Sequence, residues 1–301
     1  MTLRHPVHRF GARSLDFSHR IAVMAVVNRT PDSFYDGGHT LALDDAVAAA
    51  LTAADAGADW VDVGGQPFAP GARLRPDEEA ERVVPVIQAV RSRSDVVLSV
   101  DTFEPEVAAA AIAAGADVIN DTSGLRDPEL AAVVADSDAH VIITHSLAAP
   151  RQPYPQPRYA DVVTEVRAFL EHQAEAAVAA GVPEERILVD PGHDLNKNTL
   201  HSLELTQRFS EIAQLGFPTV AAVSNKDFIG ETLRQDKENR LAGSLAAAVI
   251  CALGGARILR MHNVEAAVSA VRLTEAVLGW RPPAELRHNM ESAEPAAPVR
   301  S

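Results

Sequence analysis

Eight short apolar runs in this chain each end on a residue able to do chemistry. In chain order the ends are Asn28, Asp62, Asp101, Asn120 with Asp121, His145, Asp190, Ser224 with Lys226, and Arg260 with His262. They fall into two sets. Asp101, Asn120, Asp190 and Lys226 supply paired donors and acceptors, which suit a flat heterocycle with amide and amine edges. A carboxylate fixes an N–H edge and a lysine fixes a carbonyl; a wrong ring would leave these groups buried and unpaired. Asn28, Arg260 and His262 form the second set. Arg260 and His262 stand two apart after the last run and so share one side. A guanidinium beside an imidazole suits phosphate oxygens. Asn28 can offer an oxygen to Mg²⁺, which binds through a few protein oxygens plus substrate phosphates. Residue types alone therefore point to a phosphorylated or pyrophosphorylated heterocycle. Any one of these residues could instead cap a helix or form a turn, Asp62 and Asp121 above all. Chance capping is a poor account of all eight ends, because turns have no need of Lys226, Arg260 and His262 beside several carboxylates.

These ends act together only if one architecture gathers them. The segments AGADWVDVGG (56–65), AGADVINDTSG (114–124) and GGARILRMHN (254–263) share a plan. An Ala-rich helix stops at a glycine, a short apolar strand follows, and polar residues come next. Five other runs fit the plan less literally: IAVMAVVN, VVLSVDT, HVIITHS, RILVDPG and PTVAAVSNK. Continuous Val/Ile strands separated by helices predict a parallel sheet covered on its outer face. Eight such units predict an α/β fold, a single (β/α)8 TIM barrel, whose strand ends converge on one mouth. An open doubly wound sheet is the alternative, weakened by the lack of GxGxxG after the first strand. The expected organisation is a barrel over 1–284 and a polar, disordered tail over 285–301. The 301 residues are 47% hydrophobic, enough for one large core. The net charge of −14 comes with no basic stripe, which argues against nucleic acid. No stretch is long enough to span a bilayer and no apolar leader is evident, so a cytoplasmic protein is expected. The lone cysteine, Cys251, reads as a buried core thiol.

The motifs then resemble, in order, those of the dihydropteroate synthase family. The first loop, VVNRTPDSFYDGG, has the family's Asn-x-Thr-Pro-Asp-Ser-Phe and Gly-Gly. SVDTFEPEVAAAAIAAGADVIND, DPG with Lys197, SNKDFIGETL and RMHNV follow at the expected strand ends. The resemblance implies condensation of a hydroxymethyl-dihydropterin pyrophosphate with p-aminobenzoate, releasing pyrophosphate with Mg²⁺. It implies that Asp101, Asn120, Asp190 and Lys226 hold the pterin. Arg260, His262 and Asn28 would hold the pyrophosphate, with Asn28 reaching the metal. Asp32 and Lys226 would be catalytic, Asp32 by stabilising the cation left as pyrophosphate departs. It also implies a homodimer that contacts itself through late helices.

The departures from the family cluster around p-aminobenzoate. The usual Gly-Gly-Glu-Ser-Thr-Arg-Pro-Gly is GGQPFAPG here, placing Pro67, Phe68 and Ala69 where Ser, Thr and Arg are usual. Leu195 replaces a Phe, and Asn263 replaces an Asp. Asp227 replaces the Ser that helps hold the benzoate carboxylate, so like charges would meet. Arg29 or Arg73 could compensate by swinging in. The alternatives are thus a divergent paralogue with weak or lost p-aminobenzoate condensation, or a non-catalytic pterin binder. Lys197 reads as a cap on the mouth and His145 as a pocket wall. A metal site from His193, Asp194 and His201 is conceivable, but its spacing matches no closed zinc pattern.

Overall fold

A computed structural model describes residues 2–28 and 43–289. The chain opens with an antiparallel hairpin, β1 (Val7–Phe10) and β2 (Arg13–Asp16), that the sequence reading did not anticipate. Gly11 turns it at φ 52°, a backbone angle that favours glycine. The barrel strands follow: β3 (Ala22–Asn28), β4 (Trp60–Gly64), β5 (Val97–Asp101), β6 (Val118–Asp121), β7 (His140–Thr144), β8 (Ile187–Asp190), β9 (Val220–Ala221) and β10 (Ile258–Met261). Between them run α1 (Leu43–Asp55), α2 (Pro76–Arg91), α3 (Pro105–Ala113), α4 (Pro128–Ala135), α5 (Val162–Ala179), α6 (Thr199–Gln207), α7 (Phe209–Ala213), α8 (Asp227–Leu233) and α9 (Leu241–Leu253); α10 (Val264–Val277) comes last.

All eight strands pair in parallel in the order β8-β7-β6-β5-β4-β3-β10-β9. A bridge between Val189 and Thr219 joins the two ends, so the sheet closes as the expected barrel. Pairing is tight because each strand is buried on both faces; every residue of β4, β7 and β8 is buried. Inside the barrel, Met24, Trp60, Val97, Val118, Ile142 and Leu188 pack together. The unanticipated hairpin has its purpose here: Phe10, Leu15 and Phe17 close the amino-terminal end of that interior. Trp60 is fully buried, so truncating it to Ala would cost about 3–5 kcal/mol. Outside, valines and alanines of the strands meet Ala46, Ala50, Val83 and Ile87 on α1 and α2, where small side chains let the helices lie close.

Register decides what the mouth contains. Asn28 pairs with Gly64, Gly64 with Asp101, and Asp101 with Asn120. Four successive strands therefore finish at one level. Gly64 leaves room there, since a Cβ would crowd the Asn28 Oδ1 at 3.0 Å.

Candidate functional site

The strand ends enclose a cavity of about 290 Å³ at the carboxyl-terminal mouth. Asn28, Asp101, Asn120, Asp190, Lys226 and Arg260 all line it. A smaller recess of about 210 Å³ lies beside it, bordered by Ser224, Asn225, Lys226, Lys237, Arg260 and His262. The four residues assigned to a heterocycle thus share one concavity, and Arg260 and His262 share its neighbour. Asp32 and Arg29 lie outside the described residues.

Beneath the floor sits Asp62, with an exposure of 0%. Its Oδ2 accepts from Arg260 Nε at 2.7 Å and from Asn120 Nδ2 at 3.1 Å, and Ser99 Oγ donates to its Oδ1. Asp62 is thereby used up in aiming Arg260 and Asn120. Arg260 also donates to Asp101 at 3.4 Å. Burial, then the neighbouring Asp62 charge, push the Asp101 carboxyl up to about 7, although Arg260 pulls the other way. Burial likewise raises Asp190, opposed by the Gly192 N–H that it accepts at 2.7 Å. Burial lowers Lys226, while Asp194 and Asp190 favour its charge. An acid held near neutrality beside a softened lysine suits recognition of a ring with both N–H and carbonyl edges.

Asp121 has the local role weighed for it above. Its carboxylate accepts the Ser123 and Leu125 N–H groups at 2.7 and 2.6 Å and shapes the turn after β6. Lys197 ties two loops together: its Nζ donates to Gly192 O at 2.9 Å and Leu195 O at 3.0 Å and meets His145 Nδ1 at 2.9 Å. Burial brings Lys197 down to about 7. Gly192, at φ 68°, allows this approach, since a Cβ there would lie 2.1 Å from the His145 carbonyl oxygen. Ser224 positions His262, with its Oγ 3.0 Å from the imidazole Nδ1.

The rim is built differently. Pro67, Phe68 and Leu195 line the cavity as an apolar lip, with Gln66 beside them. Gln66 is anchored from below by Glu79, whose carboxyl is pushed up to about 7 by burial. Ala69 belongs to the same loop, which is stitched by Arg151: its guanidinium donates to the carbonyls of Pro67 (3.0 Å), Ala69 and Ala72 (2.9 Å). Arg151 comes from the stretch 151–159, a proline-rich connection in sequence and a clamp in the fold.

Two expectations about charge change here. Arg73 does not swing toward the mouth; it grips Glu104 with two hydrogen bonds of 2.5 and 2.6 Å over the Phe103 ring. Asp227 is 83% exposed and paired with Arg240 at 2.9 Å, so its charge is solvated and offset, and the repulsion expected of it shrinks. His193, Asp194 and His201 have separate tasks. His193 is stacked between Phe209 and Phe228, His201 closes a capping box with Asn198, and Asp194 holds the start of α8. Among the described residues no three His, Cys, Asp or Glu side chains are grouped as a metal would need.

Sequence reading missed Lys237, which lines both the cavity and the recess from a short 3₁₀ turn, Lys237–Asn239. It sits in the charge-rich stretch RQDKENR, where nothing marks one lysine out. Thr122 and Thr144 were also missed as lining residues.

Comparisons with known proteins agree with this geometry. The model of a family described as pterin binding enzyme matches residues 24–262. An inactive dihydropteroate synthase 2 of Mycobacterium tuberculosis is 43% identical over 270 residues, 88% of this chain and 85% of that one. The dihydropteroate synthase of Escherichia coli is 40% identical over 266 residues, 88% of this chain and 94% of that one. Among solved structures, a Xanthomonas albilineans dihydropteroate synthase with 4-aminobenzoic acid superposes with a TM-score of 0.84 at 42% identity, covering 91% of this chain and 98% of that one.

Proposed function

The chain belongs to the pterin-binding enzyme family that includes the dihydropteroate synthases, and from that premise we propose a transferase acting on a dihydropterin carrying a diphosphate. The observation that carries this is the convergence of Asp101, Asn120, Asp190 and Lys226 on one cavity, beside a recess holding Arg260, His262 and Lys237. The ring would lie on the floor, its N–H edges to the carboxylates and its carbonyl to Lys226 or Asn120. The diphosphate would extend into the recess. Arg260 is partly neutralised by Asp62 and Asp101, so Lys237 supplies cationic charge that Arg260 does not.

The reaction breaks the bond between the exocyclic methylene carbon and the diphosphate oxygen, which keeps the electron pair. The lone pair of an arylamine nitrogen then forms the C–N bond, and that nitrogen loses a proton. Asp32 is assigned to the cation between these events by resemblance. Asn28 offers an amide oxygen at the cavity wall beside Gly64, and one such protein oxygen fits a Mg²⁺ carried mainly by the diphosphate and water. Such an ion would supply charge neutralisation on the leaving group.

Purified protein given 6-hydroxymethyl-7,8-dihydropterin pyrophosphate, p-aminobenzoate and Mg²⁺ is expected to release pyrophosphate. Folded protein that neither binds the pterin nor releases pyrophosphate would end the proposal. The apolar lip, with Pro67 and Phe68, favours a second reading in which p-aminobenzoate is used poorly. The homodimer and cytoplasmic placement expected above stay part of the proposal; Leu253, Leu273 and Val277 on α9 and α10 are 59%, 67% and 76% exposed, which supports a late-helix contact.

A further inference from the structure

The stretch RQPYPQPRY (151–159) reads in sequence as a bare connection, yet in the fold it ties together two other loops of the mouth. Arg151 reaches the loop after β4. Its Nη1 donates to the Pro67 carbonyl at 3.0 Å and to that of Ala69, and its Nε and Nη2 donate to the Ala72 carbonyl at 3.1 and 2.9 Å. Its main chain bonds the same loop in both directions: the Arg151 N–H donates to Phe68 O at 3.0 Å, and the Gly71 N–H donates to Arg151 O at 3.3 Å. Tyr154 stacks on the Phe68 ring, with centroids 6.0 Å apart and planes 24° apart. Arg151 holds φ at 62°, a left-handed angle that residues other than glycine seldom adopt, and such an angle persists where the surroundings over-determine it.

The same stretch is pinned to the loop after β8 by Asn196, which is buried. The Asn196 Oδ1 accepts the Ala148 N–H at 2.8 Å, its Nδ2 donates to the Pro155 carbonyl at 3.2 Å, and its own carbonyl accepts from the Tyr159 hydroxyl at 3.1 Å. Asn196 adjoins Leu195. Residues 148–159 therefore run from the Leu195 side of the apolar lip to the Pro67–Phe68 side, and line none of the cavity themselves. Among the described residues the Arg151 guanidinium meets carbonyl oxygens and no carboxylate, so its forked shape matters here more than its charge. Every bond of this brace is made within the chain, so none of them waits for a substrate.

We propose that Arg151 is a positioning residue for the second reactant: through the brace it holds Pro67 and Phe68 at a fixed spacing from Leu195, so that the arylamine enters a slot already formed. This rests on the pterin-diphosphate reading above. An unbraced loop would have to be ordered by the incoming reactant, at the expense of that reactant's affinity, whereas a braced loop is ordered on folding. The ring site on the floor hangs on strand ends and does not depend on the brace.

The test titrates p-aminobenzoate by calorimetry into the full chain saturated with 6-hydroxymethyl-7,8-dihydropterin and inorganic pyrophosphate, and titrates the pterin separately. Arg151→Ala is expected to weaken p-aminobenzoate about tenfold and to leave the pterin within about twofold. Arg151→Lys keeps the charge but cannot serve three carbonyls, and is expected to recover part of that loss. Hydrogen exchange across 66–74 in the protein without ligands is expected to rise about tenfold in Arg151→Ala. Tyr154→Ala leaves the Arg151 bonds in place and is expected to lose about threefold for p-aminobenzoate alone; it carries the test should the Arg151 variants fold poorly. Unchanged p-aminobenzoate affinity in the folded variants, an equal loss for both ligands, or exchange across 66–74 unaltered by Arg151→Ala would overturn the proposal alone. So would wild-type protein that binds the pterin and not p-aminobenzoate. Wild-type protein that does not bind the pterin would overturn the parent reading, and this one with it.

Discussion

The floor of the mouth and its rim obey different rules. On the floor, Asp101, Asn120 and Asp190 sit at strand ends whose level is set by register, and Asp62 locks Arg260 and Asn120 from beneath. Each polar group there is fixed by the backbone of a buried sheet, so altering one leaves its partners stranded. At the rim, Pro67, Phe68, Ala69 and Asp227 sit on loops or a helix start, and their arrangement depends on Arg151, Arg240 and Asp194 reaching across from elsewhere. A sheet-bound floor therefore keeps one recognition chemistry, whereas the rim can exchange its partner without disturbing the fold.

That contrast can be broken most sharply at Arg260. Arg260→Ala leaves the fully buried Asp62 uncompensated and is expected to cost about 3–5 kcal/mol of stability in denaturant titrations, with loss of pyrophosphate binding. An unaffected midpoint would mean that the floor is not the rigid partner. Next in size, Asp190→Ala is expected to weaken pterin binding about a hundredfold by calorimetry, since the ring's N–H edge would be left unpaired. A loss under about threefold would remove Asp190 from the ring site.

The pH dependence of stability sharpens the same comparison. The Asp101 pKa is raised in the folded protein, to about 7 from 3.8, so the native state binds the extra proton between those values. Its contribution to stability is therefore largest at low pH and declines as pH rises through that window. Asp121 and Glu79 act with the same sign. Asp101→Asn is expected to flatten part of the decline between about pH 4 and 7, seen in melting temperature against pH. An identical slope in wild type and variant would place the Asp101 titration elsewhere. The smallest effect belongs to the rim. Asp227→Ser removes an exposed ion pair and is expected to change stability by less than about 1 kcal/mol. It should also leave p-aminobenzoate affinity within about fivefold; a larger gain would return the blame to Asp227.

The residues of the floor were legible because their signal is local. A short apolar run that stops at Asp101 or Asp190 announces both a strand and the residue at its mouth, and eight repeats of that unit announce the barrel. The rim was legible only as a cluster of departures from a family pattern, with Asp227 singled out and Asp194 weighed only as a metal ligand. The N-terminal hairpin, too short to show a period, was missed although it closes the barrel interior.

Local patterning, then, determined the fold and which side chains stand at the strand ends, because a continuous apolar run and the polar residue that ends it are properties of neighbouring residues. Only the tertiary structure decided how charges were spent: that Asp62 aims Arg260 across 198 positions, that Arg73 turns to Glu104, and that Asp194 reaches the start of α8. Hydrogen bonds and ion pairs join groups by distance in space, and a sequence records only distance along the chain.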